Sequence, residues 1–97
     1  MSELRFEWSS RKASENQKKH GVSFKEAKSA FLDENARVIP DPDQPEDEDR
    51  FVLLGLSVQL RLLVVCHCYR QDNEVVRILP ARKADKSERI QYSELLR

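Results

Sequence analysis

Apolar and charged residues alternate along Leu4-Arg5-Phe6-Glu7-Trp8, which predicts a short first strand. Ser9-Ser10 then offers N-cap oxygens, Arg11 to His20 reads as a polar helix, and Gly21 sits where a left-handed residue would end it. Ser23-Phe24-Lys25-Glu26 has the form of a capping box. Phe24, Ala27, Ala30 and Phe31 share one face of the helix it starts, which should stop near Asp33-Glu34-Asn35. Val38-Ile39 reads as a short strand before Pro40. Asp41 to Asp49, with Pro42 and Pro45, reads as an exposed loop. Phe51 to Ser57 is strand-like, with Gly55 marking a bulge or a close approach. A tight turn near Val58-Gln59 leads into Leu60–Tyr69, the strongest strand of the chain. Gln71-Asp72-Asn73 turns it back into Glu74–Leu79. Asp85-Lys86-Ser87-Glu88 is a second capping box, opening a last helix through Tyr92 to Leu95 or Leu96.

This order predicts one α+β domain over residues 1–97, a small twisted antiparallel sheet with helices packed on one face. The other face, or an edge, is left free to bind. Trp8, Phe24 and Phe31 are expected in the core. In the strongest strand Leu62, Val64, Cys66 and Cys68 point one way, and Leu63, Val65, His67 and Tyr69 the other. The cysteine side reads as the helix-covered core, which would bring His67 and Tyr69 out on the open side.

Charge changes the picture more than composition does. The formal net charge is zero, yet residues 33–49 carry −7 and the other eighty residues +7. A basic body with one acidic loop hints at a polyanionic partner, and the loop either folds over a basic groove or stays solvated. Only 39% of the residues are hydrophobic, and no stretch approaches the roughly 20 apolar residues of a membrane span. The start of the chain lacks a signal-peptide pattern, so a cytoplasmic protein is expected. Cys66 and Cys68 lie about 6.6 Å apart along one strand face, a poor disulfide geometry. They lack two further ligands for a metal site, and free thiols in a reducing compartment are expected, with no cofactor.

The densest chemistry lies in Arg77-Ile78-Leu79-Pro80-Ala81-Arg82-Lys83-Ala84, followed by Glu88-Arg89 and Tyr92. Arginine presents a fixed charge and a planar fork suited to phosphate oxygens, so Arg77 and Arg82 at a strand end can grip a phosphate. The alternative is pairing with Glu48, Glu74 or Glu88. Arg50 and Arg70 carry weaker forms of the same argument. His20 ends a helix, where an imidazolium gains from the dipole, and Lys19 beside it can hold a phosphate or stay solvated. Tyr92 can stack a base or line the core.

Phe6-Glu7-Trp8, Lys12, Asn16, Lys19-His20-Gly21-Val22-Ser23-Phe24, Ala27 and Phe31 together resemble the BrnT toxins of bacterial type II toxin–antitoxin pairs. The resemblance continues through Glu48-x-Arg50, Gly55, Leu63-x-Val65, Arg77-Ile78, Ala81-Arg82-x-Ala84, Glu88-Arg89 and Tyr92. Two positions depart from it: Ser9 stands where the family usually has aspartate, and Pro80 where it usually has serine. The resemblance implies a RelE-like fold and an endoribonuclease that inhibits translation until a BrnA-like antitoxin neutralises it, with DNA contacted only through the antitoxin. For RNA cleavage the candidate catalytic residues are Arg77, Arg82, His67, His20 and Tyr92, with RNA contacts expected from Lys19, Arg50, Arg70 and Arg89. A non-catalytic relic, acting as a protein-binding module in a repressor complex, is the alternative that Pro80 and Ser9 favour.

Overall fold

The computed structural model describes residues 4–46 and 49–96. Strand β1 (Arg5–Glu7) leads to helix α1 (Ser10–His20), then to helix α2 (Phe24–Ser29), which tightens into a 3₁₀ turn at Ala30–Leu32. Strands β2 (Arg37–Pro40), β3 (Arg50–Leu56), β4 (Leu62–Arg70) and β5 (Val75–Lys83) follow, and helix α3 (Lys86–Leu95) closes the chain. The sheet order is β1-β5-β4-β3-β2. Strands β2 to β5 are antiparallel as expected, whereas β1 joins the edge parallel to β5, with Phe6 opposite Val76.

The helix ends follow their local chemistry. The Ser9 hydroxyl accepts from the Lys12 N–H at 3.3 Å, and Gly21 ends α1 at φ 68°, its N–H bonded to the Gln17 carbonyl. Asp85 and Glu88 complete the reciprocal box at the start of α3. The first box is only half made. Ser23 caps the Glu26 N–H, but the Glu26 carboxylate turns to the Arg61 guanidinium and the Ser57 hydroxyl. Arg61 also donates to the Gly21 carbonyl, so one buried carboxylate ties the α1–α2 corner to the β3–β4 turn. Removing one partner of such a pair costs about 3–5 kcal/mol, because the other is left buried and charged.

The core corrects the expected orientation of the sheet. Leu63 and Val65 pack with Val22, Phe24, Ala27, Ala30, Leu53, Ile78 and Ala81 beneath α1 and α2. His67 belongs to that side, fully buried and edge-on to Phe31 with ring centroids 4.9 Å apart. The cysteine face is therefore the one α1 and α2 leave open. Phe24 is buried as expected, with Trp8 and Phe31 packed partly buried against the cluster.

Strand β5 runs past its expected end through Pro80 to Lys83. It can do so because Leu79 and Pro80 together stand opposite Cys66, a β-bulge that tolerates a residue without an N–H. Gly55 has no such irregularity and marks a close approach instead. A Cβ there would meet the Ala30 carbonyl oxygen at 2.9 Å and the Leu53 side chain at 2.8 Å. Gly55→Ala is expected to lower stability by about 1–3 kcal/mol, read from the urea midpoint, since a backbone oxygen cannot move aside like a side chain.

Candidate active site

Asn16 is the one buried residue of α1. Its carboxamide accepts from the Ala81 N–H at 3.0 Å and donates to the carbonyls of Ala81 and Val22, both at 2.9 Å. It thus acts as a one-residue neighbour strand along β5, beyond the point where β1 ends. One turn further along α1 lies His20, and one residue further along β5 lies Arg82. The amide bridge fixes these two side chains relative to each other.

Both line a hollow of about 320 Å³ on the open face, with Glu88, Cys66, Pro80, Asp41 and Asp43. Arg82 is forked onto Glu88, Nη1 donating to Oε1 at 2.7 Å and Nη2 to Oε2 at 2.9 Å. The same carboxylate accepts the Asp85 N–H at 2.8 Å, so one group caps α3 and orients the arginine. The Arg82 hydrogen bonds hold the Glu88 carboxyl below its ordinary range against the opposing effect of burial, which keeps it ionised at neutral pH. Burial pushes the Cys66 thiol up, so it lines the hollow as a neutral group. His20 and Pro80 also border a second hollow that holds Lys12 and Lys19.

The remaining candidates are dispersed. Arg77 does not converge with Arg82. It pairs with Cys68 across the sheet while Arg82 pairs with Val64, about 13 Å further along β4. Its guanidinium donates to Glu7 at 2.9 Å, and Arg70 lies 3.7 Å from the same carboxylate. Arg50 pairs with Asp41 at 3.6 Å, and Asp41 is buried rather than part of a wholly exposed loop. Arg89, on α3, donates to the Ala84 carbonyl just before the helix. Glu48, the expected partner for arginine, lies outside the described residues, as does Asp47.

Two expectations fail on burial. Tyr92 is buried, and its hydroxyl donates to Asp33 at 2.5 Å, tying α3 to the start of the loop before β2; it presents no ring to a base. Burial, then the Asp33 carboxylate, push its pKa up to about 12. His67 is sealed among Phe31, Phe51 and Tyr69, with Nδ1 at 3.1 Å from the Val65 carbonyl and, among the described residues, no partner for Nε2. It cannot reach a substrate. Glu88 and Asn16 are the site residues sequence reasoning passed over as chemistry. In the sequence Glu88 reads only as a cap or an arginine partner, and a helix asparagine carries no signal for bridging to a strand 65 residues away.

The family model described as the ribonuclease toxin BrnT of type II toxin–antitoxin systems matches residues 8–88. The chain belongs to this family of endoribonuclease toxins, whose members act within a toxin–antitoxin pair. In fold it is similar to the crystal structure of the Brucella abortus ribonuclease toxin BrnT. The TM-score is 0.67 at 21% identity, covering 87% of this chain and 100% of that one. Comparison with curated protein sequences gives no match.

Burial pushes the His67 pKa down, so it is neutral in the fold. The unfolded chain takes up that proton below about pH 6.5, so this contribution is present above that pH and lost as pH falls. Urea midpoints at pH 7.5 and 5.5 should therefore drop more for the wild type than for His67→Phe.

Proposed function

We propose that the His20–Arg82–Glu88 hollow cleaves single-stranded RNA without a metal, using the substrate's own 2′-hydroxyl. The observation that carries this reading is the placing of an ionised carboxylate, an imidazole and a guanidinium around one open cavity. Glu88 accepts the 2′-hydroxyl proton as that oxygen bonds to phosphorus. The bond from phosphorus to the 5′ oxygen breaks, and protonated His20 supplies the proton the leaving oxygen needs. Arg82 stabilises the charge gathering on the phosphorane oxygens. The products are a 2′,3′-cyclic phosphate and a 5′-hydroxyl. Lys19 and Lys12, in the adjoining hollow, suit the next phosphate along. Arg77, Arg70, Arg50 and Arg89 serve, in this reading, as outlying backbone contacts rather than catalysts.

Such an activity fits a cytoplasmic toxin of RelE-like type that inhibits translation and is neutralised by a BrnA-like antitoxin covering the hollow. DNA would be engaged through the antitoxin alone. In excess EDTA, Arg82→Ala and Glu88→Gln are each expected to slow cleavage of long single-stranded RNA at least about 100-fold. Arg77→Ala should cost only a fewfold. Equal cleavage by wild type and Arg82→Ala would place the chemistry elsewhere.

One observation favours the binding-module reading. Asp41, Asp43 and Glu88 set three carboxylates around a single arginine, an arrangement that repels a polyanion. If RNA is the occupant, Asp43 opposes it, and Asp43→Asn should raise RNA affinity severalfold in a titration at low salt. Unchanged affinity, together with no cleavage, would favour the non-catalytic reading.

A further inference from the structure

The far end of the sheet carries another, separate hollow of about 340 Å³, lined by Phe51, Tyr69, Asn73 and Asp49. It lies beyond the cover of α1 and α2, where the file of packed rings Phe6, Phe31 and His67 reaches the surface. Phe51 and Tyr69 meet at 5.4 Å with their planes 67° apart, and both are half-buried. Their lower parts are wedged against His67, so the rings are held rigidly while their outer faces stay open. Asn73 is held beside them by an unusual turn. Gln71, Asp72 and Asn73 all have left-handed backbones, at φ 51°, 55° and 69°. Three such residues in succession are costly, and asparagine and aspartate tolerate them better than glutamine does. The Asn73 carboxamide makes no side-chain hydrogen bond among the described residues, and so keeps a donor and an acceptor side by side.

Flat aromatic faces beside an amide edge match one kind of ligand well. A nucleobase offers a π face to stack and a paired donor and acceptor to an amide. Arg50 and Arg77 flank Cys68 in one cross-strand row and Arg70 follows Tyr69 on β4, so these three side chains leave from the sheet face opposite to Phe51 and Tyr69.

We propose that this hollow binds an unpaired nucleobase of single-stranded nucleic acid, as a subsite remote from the His20–Arg82 hollow. Val64, the partner of Arg82, and Tyr69 are about 16 Å apart along β4 and on opposite faces of the sheet, so the subsite engages a base several nucleotides from the cleaved bond. The proposal rests on RNA being the substrate, but its test does not rest on cleavage.

A fluorescein-labelled single-stranded DNA octamer, which lacks the 2′-hydroxyl and cannot be cut, is titrated with the full chain and read by anisotropy. Tyr69→Leu should weaken binding about tenfold, within the range for loss of one stacked base. Tyr69→Phe should stay within about twofold of wild type, and Asn73→Asp, which keeps the turn but loses the donor, should weaken binding severalfold. Octamer-induced NMR shifts at the Asn73 side-chain amide locate the contact without any substitution. No octamer binding, no shift at Asn73, or Tyr69→Leu within twofold of wild type while folded would each overturn the subsite. If Tyr69 governs octamer binding while the chain leaves RNA uncut, the subsite stands and the catalytic assignment of the other hollow falls. Cleavage that depends on Arg82, with octamer binding indifferent to Tyr69, gives the reverse.

Discussion

The carboxamide of Asn16 fills a gap in the hydrogen bonding of the sheet, and the candidate site depends on it. Strand β1 is only three residues long and leaves the outer edge of β5 unpaired beyond Arg77. A buried N–H and C=O at Ala81 would each cost free energy if left bare. Asn16 satisfies both and binds the Val22 carbonyl as well. It thereby docks an otherwise polar helix that has little apolar surface to hold it. Docking in that register is what sets His20 opposite Arg82.

A similar economy appears in Glu88. One carboxylate closes the capping box of α3, grips Arg82 with both oxygens and faces the hollow. A helix cap is a rigid place to put a proton acceptor, because its position is set by backbone N–H groups rather than by a flexible stem. The bulge at Leu79 and Pro80 works with it by turning β5 so that Arg82 follows directly after the amide bridge. The bulge also explains why the strand accepts Pro80.

Element positions were legible because they are set by local chemistry. Ser9, Gly21, Asp85 and Glu88 mark helix ends through hydrogen bonds spanning a few residues, and the β3–β4–β5 meander follows from alternation and turn residues. The covered side of β4 was not legible. Leu62, Val64 and Cys66 are as apolar as Leu63 and Val65, so alternation gives two equivalent faces and no means to choose between them. That ambiguity misplaced His67, whose imidazole looks like chemistry in sequence and is a packed ring in space.

By itself, then, the sequence determined the α+β class, the helix ends, the meander, the asymmetric charge and, through dispersed motifs, the family. Tertiary structure alone decided which side of the sheet is open, that β1 joins parallel, and which cations meet. Arg82 finds Glu88 six residues on, but Arg77 reaches Glu7 across 70 residues and shares it with Arg70, and Asn16 reaches Ala81 across 65. The reason is range. Caps and turns are written within one helical turn, whereas a functional site gathers side chains whose separation in sequence carries no record of their distance in space.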